Sequence, residues 1–492
     1  MKTVQEVSEV TYTHTYMLSL KMMTWATILV IAVMGGLYAF LGLPPALDTY
    51  YAKMYFHSIG IGIAALATYL VISIFGIQKY EPPIDFPISY RAFAAVMFAA
   101  VGGLFYLNPL LDASFTDIPL GLYIVAFILI GDVGAALFIQ LLILPRKQAG
   151  TYKPSARPGP PRMVPQYFLR IFPKREELSL YLKAGASYWL ALVAVGSALI
   201  AGMIGFVNLW VRIFGLSFFS GYASYLGLDA PGFIGATLDP HSHEIALAIM
   251  AGIVALAAQE FKVLDLKGLK KNVAKVGLWV TSIGVVAMTI VFLAVAFANF
   301  SPPTLFASGP SGVNGMAGDD TVMSFIALGA MIVLVPLALT RLNLKSSWKD
   351  SVRLALFGTW VAAVIISVVQ AFYIEFHEDI FGSTLAANDA VFAEFQPMFG
   401  IFLLVALSLL LLAVDYYQDT GWERRLTGWL AGIGLFIATV GGTLWAFGDP
   451  TTGALFYWIH VLGVFVIGIS ALAAAGAIYK TRIFRISHSE LQ

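Results

Sequence analysis

Along most of the chain the apolar positions come in unbroken runs of about 20 to 28 residues, separated by short polar stretches rich in Gly, Pro and Asp. Runs of that length are helices that cross a bilayer, since about 20 residues span the hydrocarbon. They fall at about 18–43, 55–77, 89–108, 119–145, 185–212, 241–261, 273–299, 321–340, 352–374, 396–416, 428–447 and 454–479. The predicted fold is therefore all-α, a polytopic transmembrane bundle of about twelve spans. Five segments follow: an N-terminal tail 1–17, four spans within 18–145, a basic connection 146–184, eight spans within 185–479, and a tail 480–492.

Composition agrees with the pattern: 59% of the 492 residues are hydrophobic and 12% charged, which excludes a soluble globular protein. The first run is longer than the core of a signal peptide and lacks a small-residue cleavage site, so it is expected to be retained as a span. The net charge of +1 gives no reason to expect a nucleic-acid partner; its distribution is more informative. With twelve spans, Arg146, Lys147, Lys153, Arg157, Arg341, Arg353, Arg424, Arg425 and Lys480 all fall on one side, and the opposite loops carry Asp and Glu instead. By the positive-inside rule the protein sits in a cell membrane with both termini in the cytoplasm. The segment from Lys153 to Lys174 then offers a surface to anionic lipid or a partner subunit, and the outer segment from Gly215 to Leu238 caps the bundle.

A hairpin recurs. Gly35-Gly36 precedes a helix opening Tyr55-Phe56-His57-Ser58, and Gly441-Gly442 precedes one opening Trp458-Ile459-His460-Val461, with Gly102-Gly103 a further echo. The chain has no cysteine, so histidine is the strongest metal ligand it offers and any haem must be held non-covalently.

Five of the seven histidines (His57, His241, His243, His377 and His460) are expected near the outer edge, with His14 and His488 on the cytoplasmic side. Asp239-Pro240 reads as a helix start and places His241 and His243 on the first turn of the sixth span. Residues two apart on a helix point about 200° from each other, so the pair serves two partners on opposite sides. Imidazole holds haem iron without adding charge, which makes His57 and one of His241 or His243 the preferred axial ligands, then His460. Arg212 stands alone at the outer end of the fifth span and suits a haem propionate or a lipid headgroup. His377, between Glu375, Glu378 and Asp379, is either a loop metal site or a hydrated acidic loop. Asp132 in the fourth span is expected to face the bundle interior as part of a proton path or quinol site, with Glu244 and Glu260 at the two mouths of such a path.

These features resemble the haem–copper oxidase and nitric oxide reductase superfamily: about twelve spans, cytoplasmic termini, Met54-Tyr55-Phe56-His57 on the second span and His241-Ser242-His243 opening a later one. The resemblance implies His57 and His243 on a low-spin b-type haem and His241 on a second haem. The H-x-H pair lies on the sixth span, however, not the tenth, and no adjacent His pair or His-x-x-x-Tyr follows it, so copper is not expected.

The functional expectation is a b-type cytochrome subunit of a respiratory complex, with one or two haems b, passing electrons between membrane quinol and an outer-face partner. A haem-containing terminal oxidase or nitric oxide reductase relative is a variant of it. The rival is a cofactor-free secondary transporter or channel, with Asp132 as the coupling acid.

Overall fold

The computed structural model describes residues 4–40, 50–79, 87–106, 117–152, 173–298, 325–334, 336–337, 350–364, 366, 403–418, 421–447 and 453–480. The His377 cluster, His488 and most of the basic stretch from Lys153 to Lys174 lie outside the described residues.

Among the described residues the long elements are α-helices, because side chains of this apolarity leave the backbone no partner in lipid other than itself. In chain order they are α1 Val4–Phe40, α2 Tyr50–Ile74, α3 Ile88–Tyr106, α4 Asp117–Gln148, α5 Leu178–Lys183, α6 Ala186–Phe214, α7 Ser220–Leu226, α8 Ala230–Glu260, α9 Leu269–Ala298, α10 Phe325–Leu334, α11 Ser351–Val364, α12 Leu404–Tyr417, α13 Trp422–Phe447 and α14 Gly453–Lys480. Nine of the described helices (α1–α4, α6, α8, α9, α13 and α14) are long and apolar enough to cross a membrane. The short apolar helices α10, α11 and α12 lie within the other three predicted runs.

The chain is paired into hairpins, α3 with α4, α6 with α8 and α13 with α14. The second of these is closed by glycines: Gly215 ends α6 at φ 70°, its N–H reaching Val211 O, and Gly227 ends α7 in the left-handed conformation at the same φ. The segment Gly215–Leu238 is therefore not a loop throughout, since it holds α7 and the first two turns of α8.

Helix α2 is central, packed by α1, α3, α4, α8 and α12. From Ser58 to Ser73 its only partly exposed positions are Gly60, Ala64 and Ala67; every other residue there is buried. These continue the helical face of His57.

At the α13–α14 seam the backbones touch, and a β-carbon at Gly463 would fall on the Ala438 main chain. Gly463→Val is accordingly expected to splay this hairpin and cost about 1–3 kcal/mol, read as a lower unfolding midpoint. Gly468→Val on the same helix, where nothing lies within 4 Å, is expected to leave the midpoint in place.

Candidate functional site

Helix α8 sets the depth of the histidines. It starts at Ala230 because Asp229 Oδ1 accepts from Gly232 N at 2.8 Å and Pro231 follows in the first turn. The expected start at Asp239-Pro240 is thereby corrected. Pro240 lies inside the helix, where it fails to donate to the Ala236 carbonyl, and His241 stands eleven residues in, about 16 Å below the start. His57 and His460 are each seven residues into α2 and α14, about 10 Å from their starts. The three positions lie two to three turns inside their helices rather than at the ends.

His241 Nδ1 is 2.8 Å from the Ala201 carbonyl of α6, and since a carbonyl only accepts, Nδ1 carries the proton. The Nε2 lone pair of the neutral ring is thereby left to bind a metal, an anchoring that metal-ligating histidines commonly have. Gly205 makes the room: a β-carbon there would overlap the His241 ring.

The His57 imidazole lies parallel to that of His241, at an interplanar angle of 8° and a centroid separation of 6.3 Å, with Phe127 of α4 edge-on to His57 at 5.3 Å. Two imidazoles on opposite sides of one metal place their centroids roughly 6 Å apart, from a metal–nitrogen bond of about 2 Å and a nitrogen-to-centre distance of about 1.1 Å. Small side chains line the partly open face of α2 next to the pair, and nothing lies within 4 Å of a β-carbon at Gly60. The separation, the His241 tautomer and the Gly60–Ala64–Ala67 strip suit a flat macrocycle that would supply four further nitrogens, and ligation would require the two rings, stacked here, to turn their Nε2 edges toward one metal.

His243 points the other way, as the spacing requires, onto Phe292 of α9 at 6.5 Å and 15°. His57 is thus brought together with His241, not with His243. His460 repeats the His241 arrangement in the α13–α14 hairpin: its Nδ1 is 2.8 Å from the Ala438 carbonyl, and Trp445 lies 6.3 Å from its ring. Arg212 is exposed and donates from Nε to Asn208 Oδ1 at 2.8 Å, two turns outward of Gly205, while buried Asn208 donates to Ile234 O and Thr237 Oγ1.

Two acids are not where the sequence suggested. Glu244 stands at the middle of α8 rather than at a mouth, because the helix begins eleven residues before His241. Its side chain is fully buried, with Oε1 accepting from Ser197 Oγ at 3.0 Å, Thr289 Oγ1 2.8 Å from that hydroxyl, and Oε2 without a partner among the described residues. Glu260 does close α8 at its other end. Asp132 does not face the interior: it is paired with Arg91 of α3, and its side chain is 49% exposed on the outward stripe of α4.

Sequence reasoning missed a charge cluster where α11, α12 and α13 converge. Asp415, fully buried, accepts from Arg353 Nε at 3.0 and 3.2 Å and from Arg424, which also donates to Gln418 O at 2.7 Å and lies 3.4 Å from Asp350. Arg353 lies 5.1 Å over the Phe261 ring. Burial outweighs the two guanidinium groups at Asp350 and holds its carboxyl above the usual range. A second missed group is hydroxylic: Tyr69, Ser73 and Tyr417 meet between α2 and α12, with Tyr417 Oη 3.1 Å from Ser73 Oγ and Thr27 of α1 3.4 Å from Tyr69 Oη. The sequence signal for the first was an Asp inside the tenth apolar run; the second had none.

Among the described residues no three His, Asp or Glu side chains gather as a metal group. In comparisons with known proteins, no family model, no curated protein and no solved structure matches this chain.

Proposed function

We propose that the chain is a membrane-integral b-type cytochrome that carries electrons between membrane quinol and a partner at the outer face, as a subunit of a respiratory complex. The observation that carries the reading is the parallel pair His57 and His241, 6.3 Å apart on two different helices, with His241 fixed through Nδ1. In this reading His57 and His241 would hold one haem b through their ring nitrogens, and the haem would supply one-electron chemistry there. The Ala201 carbonyl orients the His241 ring, Gly205 admits it, and Phe127 limits rotation of His57. The apolar residues around the pair exclude water.

Twelve spans with cytoplasmic termini belong to the same proposal, supported by nine long helices and three shorter apolar ones at the predicted places. A second haem belongs there too: the sequence likened the His460 hairpin to that of His57, but it is His241 on Ala201 O that His460 on Ala438 O reproduces, and His460 would offer a second place for haem. The likeness to the haem–copper oxidases enters here as a distant relationship in which the ligand pair is His57 and His241. Glu244 favours one other reading, a transporter, because a buried acid at the middle of a helix suits ion coupling.

Visible absorption separates the two. Protein purified from haem-replete cells and reduced with dithionite is expected to show a Soret band and a sharp α band. A colourless, folded preparation would leave the transporter.

A further inference from the structure

The outward stripe of α4 runs Ile118, Val125, Ile128, each at least 39% exposed, and one turn further on reaches Asp132. Such a face meets acyl chains, where an ion pair is costly unless something polar covers it. The pair here is incompletely satisfied: Arg91 spends one terminal nitrogen on Asp132, and its buried Nε has no partner among the described residues. Beside Asp132 the surface is open, for a β-carbon at Gly131 would meet nothing within 4 Å. The position on α4 is also informative. Phe127, in ring contact with His57, lies five residues before Asp132, about 7.5 Å along the axis and about 140° round the helix. The ion pair is then within roughly 15 Å of His57, across the thickness of one helix.

We propose that Arg91 and Asp132 form a headgroup site for a membrane quinol, entered sideways from the lipid between α3 and α4. The chemistry selects this occupant. It must dissolve in hydrocarbon, be flat enough to lie over Gly131, and offer both an O–H for a carboxylate and an oxygen lone pair for a guanidinium. A hydroquinone does all three. Asp132 accepts from the quinol hydroxyl, and Arg91 donates to the ring oxygen. The site rests on the cytochrome reading for its part in electron transfer, and on the ion pair alone for binding.

The test is titration calorimetry of the full chain in detergent with decylubiquinol, kept reduced under argon, as the probe. One saturable site per chain is expected, weakened about tenfold or more in Asp132→Asn and in Arg91→Leu by loss of a charge-assisted hydrogen bond. Ile128→Trp, which leaves both charges in place and fills the stripe one turn away, is expected to weaken binding as well. That variant keeps the test open if removal of a charge impairs folding. Absence of saturable binding to the wild type overturns the site, as does wild-type affinity in both Asp132→Asn and Ile128→Trp. A haem spectrum without quinol binding here would remove this site and leave the cytochrome. Asp132-dependent binding to a colourless protein would support the site and remove the cytochrome.

Discussion

Asp415→Ala is expected to destabilise the bundle by about 3–5 kcal/mol, the usual result of removing one partner from a buried ion pair. Asp415 has no exposed side-chain surface and takes hydrogen bonds from two guanidinium groups, Arg353 and Arg424. Without it, Asp350 is the nearest anion left to both, 3.8 Å from Arg353 and 3.4 Å from Arg424. The two arginines would then repel each other in a low-dielectric pocket, and α11, α12 and α13 would lose their common anchor. Thermal unfolding in detergent, followed by intrinsic fluorescence, should show a much lower midpoint. Asp415→Leu combined with Arg424→Met, which removes the pair together, should recover part of the loss. A midpoint unchanged in Asp415→Ala would mean that the cluster is solvated and holds nothing.

Gly205→Val is expected to remove the haem absorbance while the chain still folds. The added carbons occupy the space of the His241 ring, which must swing away from Ala201 O and from His57. Gly202→Val supplies the comparison, because nothing lies within 4 Å of a β-carbon there and the position is one turn away on the same helix. The account expects full absorbance in Gly202→Val and little or none in Gly205→Val. Equal absorbance in both would show that the ring is not held where the ligand is needed.

These two sites mark what the sequence conveyed. Nine span positions were legible because those apolar runs are long enough to form crossing helices. The start of α8 was not, since Ala230-Pro231-Gly232 through Thr237 reads as loop by its glycines and proline. Contacts from Asn208 to Ile234 O and Thr237 make it helix. The two opposed sides of α8 could be separated from the spacing of His241 and His243. Which one meets His57 depended on packing between α2, α6 and α8, and on Gly205, a residue with no side chain to draw attention to it. Asp132 stood out as an acid inside an apolar run but was assigned to the wrong face, because its partner Arg91 lies on a neighbouring helix and no spacing along the chain connects the two.

The pairing of His57 with His241 is tested most directly by reduced-minus-oxidised difference spectra of His57→Ala, His241→Ala and His243→Ala, with haem content measured on the same samples. The account predicts loss of the low-spin α band in the first two and its retention in the third. An α band that survives in His241→Ala and vanishes in His243→Ala would contradict it.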